Sequence, residues 1–389
     1  MTRIILVGCA GQRNLGDDAL VQVFAEQLQG ADLVAVSSNP EETTAVTGLP
    51  AFYPYGLRQI GTKVRTLLRC EAIVFAGGSP LKEIREGVTD RSRFQLLLGT
   101  LALVWLGRLL RKQVVFAHVG VGPLRSKLAR ALCRWAIQGA DRVIVRDSHS
   151  MDVLQNIGGR SQVTLAADAT WALSWRPAPH RHGSGVPRIG LAPHYYVQGA
   201  HIDYATFRDE MVNLCTSIHR QLNGVCEIHL LAFCYGYYDH DDIAVCQEIA
   251  RLLPREIAAC IDVEATPEAM LDRIASLDMV VGVRLHASIF ACITGVSLLP
   301  VVYDVKCRGF AHDAGLSDWA VEIEDVAAGR LPEHFARAWR DRVQIGRRIA
   351  HIRPSMVDRA LTGFDEVRTV LARPSANRRR SSEAMRADR

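Results

Sequence analysis

An arginine and a histidine stand two residues apart inside an otherwise apolar stretch, VVGVRLHASIFACITG (280–295). The pattern predicts a strand that breaks at Gly282 and a helix that begins near Ala287. Arg284 and His286 would then lie in the turn at the positive end of the helix dipole, where anions bind. Since a histidine exchanges protons near neutral pH, the two residues indicate an anion site with a proton-transfer group beside it. The alternative for His286 is an ordinary core histidine whose polar atoms are satisfied.

Two further basic residues follow predicted strand ends. Lys306 comes one βα unit after Arg284 and is either a second cation for the same ligand or a solvated loop lysine. Arg146 ends a buried strand, where a cation is costly unless it is paired. A structural ion pair with Asp147 or Asp168 is one explanation for Arg146, and binding of an anion is the other.

The first predicted strand leads into a glycine-rich segment, GCAGQRNLGDDAL (8–20). Its glycines permit tight turns and close approach of a ligand to the backbone, but their spacing fits neither the dinucleotide motif nor the P-loop. Asn14, Asp17 and Asp18 add amide and carboxylate groups that could hold the hydroxyls of a sugar or a catalytic water. A structural turn with Asp17 as the helix cap is the alternative.

Two later strand ends carry the same kind of small residue. The segment FAGGSPL (75–81) contains Gly78, and HVGVGPL (118–124) contains Gly120 and Gly122. Each segment includes a proline that turns the chain, so tight turns alone could explain the glycines. Glycine-rich turns at the ends of several strands nevertheless favour a ligand that lies close to this edge of the sheet.

Short apolar runs alternate with longer segments of helical periodicity, which predicts βαβ units and parallel sheets. A segment rich in proline, glycine and polar residues interrupts the pattern, which then restarts. We therefore expect an α/β protein with two Rossmann-like, doubly wound domains that face a cleft. The predicted divisions are an N-terminal domain (1–174), a linker (175–188), a C-terminal domain (189–330), C-terminal helices (331–373) and a disordered basic tail (374–389).

Composition limits the classes of function. The chain has 389 residues, of which 49% are hydrophobic and 22% are charged, and its net charge is +5. Because this charge is small and scattered, a nucleic-acid partner is not required. The ten cysteines form no C-x-x-C pair, and no His/Asp/Glu cluster has ligand spacing, so we expect no metal and a reducing compartment. The N-terminal apolar run leads straight into a glycine loop, which indicates a first strand rather than a signal peptide and favours the cytoplasm.

Residues 96–107, LLLGTLALVWLG, are apolar on every side of a helix, and Arg108, Arg111 and Lys112 follow them. Twelve such residues are too few to span a bilayer, which needs about 20. The favoured interpretation is a buried helix. The alternative is a helix that rests on the inner face of the cytoplasmic membrane, with its basic end at the lipid headgroups.

Six segments resemble the polysaccharide pyruvyl transferase family, in order and at similar separations. They are GCAGQRNLGDDAL, FAGGS, HVGVGPL, RVIVRDSHSMDVLQNIG, ADATWAL and VGVRLHASIFACITGVSLLPVVYDVK. The resemblance covers roughly residues 3–310, and its specific parts are N-x-G-D-D-A and R-L-H-[AS]-x-I-F followed by Y-D-x-K. Ser79 stands where the family often has a third glycine, and Ala169 stands where a proline is common.

The resemblance implies a GT-B-like fold and a ketal-forming transferase. Such an enzyme transfers a pyruvyl group from phosphoenolpyruvate to two hydroxyls of a sugar, which gives a cyclic ketal. The acceptor would be a cell-surface polysaccharide of the envelope, such as an exopolysaccharide, or its lipid-linked oligosaccharide precursor. Phosphoenolpyruvate is then a co-substrate, and no other cofactor is implied.

The resemblance also implies roles for the residues singled out above. His286, Arg284 and Lys306 would be catalytic, with His286 as general acid and base. The groups that bind the donor would be Arg146, Arg284, Lys306, Gly78, Gly120 and Gly122. The groups that face the acceptor would be Asn14, Asp17 and Asp18.

Two other functions remain open on the sequence alone. A GT-B glycosyltransferase with a nucleotide-sugar donor would share the architecture and would usually hold the ribose with a late carboxylate, for which Glu322 and Glu324 are candidates. The other is a non-catalytic protein of the same fold that binds or assembles glycans. The presence of Arg284, His286 and Lys306 argues against a protein of this fold that has lost catalytic activity.

Overall fold

A computed structural model describes residues 2–54, 59–84, 93–158, 163–176, 185–195, 202–236 and 241–373. Contacts divide the chain into two compact units. The first unit comprises the chain to Gln12, Asp17–Leu173 and the chain from Val357, and the second comprises Arg13–Gly16 and Ser174–Met356. The predicted tail (374–389) and residues 177–184 of the predicted linker lie outside the described residues.

The first unit is built on one parallel sheet. Its strands are β1 (Arg3–Ala10), β2 (Asp32–Ser37), β3 (Ala51–Phe52), β4 (Ala72–Ala76), β5 (Gln113–Val119), β6 (Arg142–Val145) and β7 (Val163–Leu165). Their order is β3-β2-β1-β4-β5-β6-β7, which reverses direction between β1 and β4. The helices between consecutive strands are α1 (Leu15–Gln27), α2 (Pro40–Thr47), α3 (Ile60–Arg69), α4 (Gln95–Leu109), α5 (Lys127–Gln138) and α6 (Ser148–Asn156).

The second unit repeats this arrangement. Its strands are β8 (Arg188–Ala192), β9 (Glu227–Ala232), β10 (Ala259–Val263), β11 (Met279–Gly282), β12 (Ser297–Val302) and β13 (Val321–Glu322). Their order is β10-β9-β8-β11-β12-β13, with the reversal between β8 and β11. Its helices are α7 (Tyr204–Gln221), α8 (Asp242–Leu252), α9 (Pro267–Ala275), α10 (Leu285–Thr294), α11 (Val305–Asp313) and α12 (Ile323–Ala327).

The prediction of doubly wound α/β units is confirmed for each sheet. All residues of β4 and β12 are buried, because the crossover helices cover both faces of a parallel sheet. The strands β3, β7, β10 and β13 were not predicted. They lie at or next to the edges of the sheets, and they are short or alternate with polar residues, so they lack the continuous apolar run that marks a central strand.

One helix, α13 (Leu331–Ala372), occupies the region in which the sequence predicts C-terminal helices. It continues through Pro354, a residue that usually interrupts a helix. Its residues up to Met356 belong to the second unit and those from Val357 to the first. In the first unit Phe364 is fully buried and packs 5.0 Å from the ring of Phe24 and 4.4 Å from the ring of His118.

The packing of Phe364 gives a test of this part of the fold. Phe364→Ala should lower the free energy of unfolding by about 3–5 kcal/mol, since it removes a buried ring and leaves a cavity. Urea unfolding measures the change. Leu361→Ala is the matched control on the same helix, because Leu361 is 37% exposed. Equal destabilisation by the two variants would contradict the docking of this end of α13.

Candidate functional site

The carboxyl edge of the second sheet carries both expected and unexpected polar groups. The order β9-β8-β11-β12 brings the residues after these strands side by side, around the switch point between β8 and β11. Open α/β sheets bind their ligands at this kind of edge. The residues that follow the four strands are His194 after β8, Asp242 after β9, Arg284 after β11 and Tyr303 after β12.

Arg284 is held by the carboxylate of Asp242. Its Nε donates to Oδ2 at 2.5 Å and its Nη2 donates to Oδ1 at 2.6 Å, a two-pronged contact. Arg284 is 9% exposed and Asp242 is 1% exposed. Burial opposes both charges, but the attraction outweighs it, so the pKa of Asp242 is lowered and the pKa of Arg284 is raised. The structure thus supplies the partner that a buried cation requires.

Asp242 also fixes the loop after β9. Its Oδ2 accepts the backbone N–H groups of Phe233 and Cys234, each at 3.0 Å. The same loop pairs with the N-terminal glycine segment, because the N–H of Leu15 donates to the carbonyl of Phe233 at 2.9 Å and Asn14 forms an antiparallel bridge with Cys234. These bonds explain why Arg13–Gly16 belongs to the second unit rather than to the first.

His286 packs directly on Gly16. The helix α10 begins at Leu285, so His286 lies in its first turn rather than in the turn before it. A Cβ atom at Gly16 would overlap Nδ1 and Cγ of the imidazole, so only glycine leaves room for the ring. The side-chain oxygen of Asn14 accepts the N–H of Gly16 at 3.1 Å. The structure therefore places the predicted acceptor residue Asn14 beside the predicted proton-transfer residue.

Lys306 joins this edge through an aromatic contact. Its Nζ lies 5.2 Å from the centroid of the Tyr303 ring, and that ring meets His194 edge-on at 5.4 Å. Burial first, and then the charges of Arg284 and Lys306, lower the pKa of His194 to about 3, although Asp242 acts to raise it. Since His194 is therefore neutral, the 3.8 Å between its Nδ1 and Oδ1 of Asp242 is a polar contact rather than an ion pair.

Two helices present their positive ends at the same edge. α10 and α11 begin after the neighbouring strands β11 and β12, with Arg284 as the cap of the first and Lys306 in the first turn of the second. Cations and helix N-termini together favour a negatively charged ligand. With His286 in the first turn of α10, this edge can bind an anion and exchange a proton with it.

Arg146 lies in the first unit and is 5% exposed. Its Nη1 lies 3.3 Å from Oδ2 of Asp168, and its Nε lies 3.4 Å from Oδ2 of Asp147. Its Nη2 donates to Oγ of Ser79 at 3.3 Å. The structural ion pairs weighed from the sequence are thus both present, and two carboxylates offset one cation. Binding of the donor by Arg146 stays a prediction.

Of the predicted donor-binding glycines, Gly120 lies against Arg146, and Gly78 and Gly122 turn the chain. A Cβ atom at Gly120 would lie 2.8 Å from Nη2 of Arg146, so this glycine makes room for the guanidinium. The N–H of Gly120 donates to the carbonyl of Gly78 at 2.7 Å. Gly78 and Gly122 have φ values of +66° and +92°, which favour glycine. These structural reasons explain the glycines, and a contact with a ligand stays a prediction.

Asp17 and Asp18 lie in the first turn of α1, in the first unit. Burial, then the charges of Asp17 and Glu42, raise the pKa of Asp18 from 3.8 to about 7. A carboxyl group with such a pKa could accept a proton from a hydroxyl at neutral pH. The role of both residues toward an acceptor stays a prediction.

Sequence reasoning missed Asp242 and His194. Both follow strands, as the chosen residues do, but an aspartate at the start of a helix is common, so nothing local marks Asp242 as the partner of Arg284. Glu322, a candidate for holding a ribose, instead accepts a hydrogen bond from Nη2 of Arg308 at 2.6 Å. Glu324, the other candidate, is exposed. Within the described ranges, no group of three or more His, Cys, Asp and Glu residues could hold a metal ion.

Comparison with known proteins assigns the family. The sequence profile of polysaccharide pyruvyl transferases matches residues 14–305, which include Gly16, Arg284 and His286. The chain belongs to the polysaccharide pyruvyl transferase family. Membership makes the protein an enzyme of polysaccharide biosynthesis. A comparison with curated proteins gives no significant match.

Solved structures of low sequence identity share the fold of this pyruvyl transferase family member. HepE of Anabaena, in complex with UDP and glucose, has a TM-score of 0.60 at 12% identity over 96% of this chain and 100% of its own. UDP-GlcNAc 2-epimerase of Neisseria meningitidis, bound to UDP-GlcNAc, has a TM-score of 0.57 at 11% identity over 96% and 100%. The spinosyn rhamnosyltransferase SpnG, complexed with thymidine diphosphate, has a TM-score of 0.55 at 14% identity over 95% and 100%. The GT-B-like fold predicted from the sequence is confirmed.

The raised pKa of Asp18 predicts a pH-dependent effect on stability. Because the folded-state pKa of about 7 lies above 3.8, the unfolded chain loses this proton first, so stability falls as pH rises between these values. Asp18→Asn does not titrate and should raise the Tm of the protein more at pH 8 than at pH 5. Glu41→Gln, at an exposed carboxylate of α2, is the control. An equal change in Tm at the two pH values for Asp18→Asn would contradict the shift.

Proposed function

We propose that the protein transfers a pyruvyl group from phosphoenolpyruvate to two hydroxyls of a sugar, and that the donor binds at the carboxyl edge of β11 and β12. The proposal rests on the observation that Arg284, Lys306 and His286 lie at the N-termini of α10 and α11. Phosphoenolpyruvate has a carboxylate and a phosphate, so it suits a site with two cations. Family membership supports the same assignment.

The reaction needs proton transfer to the methylene carbon, from each sugar hydroxyl and to the phosphate. A proton is added to the methylene carbon of phosphoenolpyruvate, which gives an oxocarbenium-like centre at C2. One sugar hydroxyl attacks C2 and loses its proton, and the C2–O bond to phosphate then breaks. The second hydroxyl attacks C2 and loses its proton. One of the two hydroxyl protons balances the new methyl group and the other leaves with inorganic phosphate.

The residues of this edge would divide the work. Arg284 is oriented by Asp242, so its guanidinium is held in place before a ligand arrives and loses little freedom on binding. Lys306 would contribute its charge to the phosphate or carboxylate. His286 would deliver or accept protons as general acid and base. Because burial and the neighbouring cations lower the pKa of His194 to about 3, it is neutral and adds no third positive charge to the site.

The alternative is a glycosyltransferase with a nucleotide-sugar donor. The solved structures of similar fold that are described above contain UDP, UDP-GlcNAc or thymidine diphosphate. In this chain, however, the carboxylate of Glu322 is already engaged by Arg308. Because the profile of pyruvyl transferases also matches residues 14–305, we place pyruvyl transfer first.

The proposal is tested with the full chain, phosphoenolpyruvate and a panel of free and lipid-linked sugars. We expect release of inorganic phosphate that depends on the sugar, together with the mass gain of a pyruvate ketal on that sugar. A nucleotide-sugar panel runs in parallel. Sugar transfer from a nucleotide sugar, without consumption of phosphoenolpyruvate, would support the alternative instead.

His286→Ala should lower kcat by about 10²–10⁴-fold, the usual contribution of a general acid or base. Binding of phosphoenolpyruvate should persist, because the cations act on the ground-state anion as well as on the transition state. Phosphate release and isothermal titration separate the two effects. His351→Ala, at an exposed histidine of α13, is the control. Turnover within about threefold of the wild type, well short of that range, would end the assignment to His286.

Gly16→Ala should reproduce the loss of kcat caused by His286→Ala, although the imidazole itself is still present. The added methyl group overlaps the ring, so the ring must move away from its position. Gly61→Ala is the control, since a Cβ atom at Gly61 meets no other atom within 4 Å. A fully active Gly16→Ala variant of wild-type stability would show that the position of the ring on Gly16 is not needed for turnover.

A further inference from the structure

Three helices of the first unit leave a large apolar surface uncovered. Among the residues that the structure describes, sixteen large hydrophobic side chains are exposed, and nine of them lie on α3, α4 and α5. They are Ile60, Val64 and Leu68 on α3; Leu98, Trp105, Leu106 and Leu109 on α4; and Leu128 and Trp135 on α5. We call these nine side chains the apolar patch. A concentration of this kind marks an interaction site.

The three helices lie on one face of the first sheet. Val104 on α4 and Leu132 on α5 belong to one hydrophobic core, and the partly buried Leu67 on α3 packs against the same core. α4 packs along α5. The ammonium group of Lys112, just after α4, donates to the carbonyls of Leu68 and Cys70 at 2.8 and 2.7 Å. The patch residues of α4 and α5 thus lie on neighbouring helices, and the end of α3 lies beside the residues that follow α4.

The structure decides how much of the apolar segment of α4 is covered. One side of the helix packs on the sheet, with Leu97 and Val104 fully buried. Gly107 allows close approach, because a Cβ atom there would lie 2.9 Å from Cγ2 of Val114. The opposite side is open to solvent, with Trp105 50% and Leu109 78% exposed. The helix is thus buried along one stripe rather than on every side.

The charged residues on the three helices of the apolar patch are all basic. α3, α4 and α5 contain no aspartate or glutamate. Their exposed basic residues are Arg65 and Arg69 on α3, Arg108 on α4, and Lys127, Arg130 and Arg134 on α5. Of these, Arg108 is paired with Asp141 at 3.0 Å. An apolar surface bordered by cations is complementary to a bilayer that carries anionic lipids.

The geometry points to peripheral docking of the first unit on an anionic membrane through the apolar patch. No helix in the described part of the chain is both long and apolar enough to cross a bilayer, so the contact would be interfacial. The two exposed tryptophans suit the interface, where an indole ring buries its apolar body and keeps its N–H in a polar layer. The leucine and isoleucine side chains would enter the upper acyl region.

A second copy of the chain fits this surface less well. A symmetric dimer would place the apolar patch of one copy against the same patch of the other. The cations of α3 and α5 would then face one another without acidic partners, and like charges across an interface are costly. Anionic headgroups offer these cations partners of opposite sign.

Docking would bring the enzyme to a lipid-linked acceptor, and this consequence rests on the proposed function. Membrane binding itself does not, because it needs neither donor nor acceptor. The two can fail independently. A protein that releases phosphate with a soluble sugar but ignores vesicles would retain the proposed function and lose the docking.

The test is sedimentation of the full chain with vesicles of phosphatidylglycerol and phosphatidylcholine, or of phosphatidylcholine alone. We expect binding to the anionic vesicles, weaker binding at high salt and little binding to the neutral ones. Tryptophan emission should shift to the blue on binding. The double variant Trp105→Gln/Leu109→Gln should lose both the binding and most of the shift.

The charge variant is Arg65→Glu/Arg134→Glu. It should lower partitioning to anionic vesicles by at least about tenfold, since each cation near such a surface contributes a factor of about five. The control changes similar residues elsewhere, Val343→Gln and Arg347→Glu on the exposed side of α13, and should bind as the wild type does. Thermal unfolding verifies that each variant is folded.

Three results would overturn the proposal. The first is a wild-type protein that stays in the supernatant with anionic vesicles at low salt. The second is equal binding by the patch and control variants. The third is a wild-type dimer in sedimentation velocity that Trp105→Gln/Leu109→Gln dissociates, with no vesicle binding; this result would assign the apolar patch to self-association.

Discussion

The ion pair between Arg284 and Asp242 is the interaction on which the candidate site depends. Removal of one partner from such a buried pair typically costs about 3–5 kcal/mol, because the other charge is left without compensation. The same carboxylate accepts two backbone N–H groups of the loop after β9. That loop pairs with Asn14 and Leu15, which helps to position Gly16. Because the His286 ring packs on Gly16, the position of the ring also depends on the buried Asp242.

The two units treat their buried arginines differently. Arg146 in the first unit is surrounded by two carboxylates and a hydroxyl, which satisfies the guanidinium within the protein. Arg284 shares its charge with one carboxylate, and Lys306 and the N-termini of two helices lie at the same edge. The cations and helix N-termini at this edge support the proposal that the donor binds to the second unit. The first unit, described by itself, contains a carboxyl group of raised pKa, Asp18, and an uncovered apolar surface.

Local patterns predicted the fold and the position of the chemistry, whereas long-range contacts did not follow from them. Arg284 and His286 were expected at a strand-to-helix junction because strand, glycine and helix follow one another within a few residues. The pairing of Arg284 with Asp242 joins residues 42 apart, and no period or motif encodes it. The apolar segment of α4 shows the same limit, since a helix that is apolar on every side does not reveal which stripe the sheet will cover. Pro354 shows the converse, because α13 continues through a residue that usually ends a helix.

The most direct test of a phosphoenolpyruvate site at the edge of β11 and β12 is isothermal titration of the full chain with phosphoenolpyruvate and, separately, with uridine diphosphate. The account predicts saturable binding of phosphoenolpyruvate that is lost in Arg284→Gln and competed by inorganic phosphate, and no binding of uridine diphosphate at the same concentrations. Circular dichroism would establish that the variant is folded. Binding of uridine diphosphate, with none of phosphoenolpyruvate, would contradict the account.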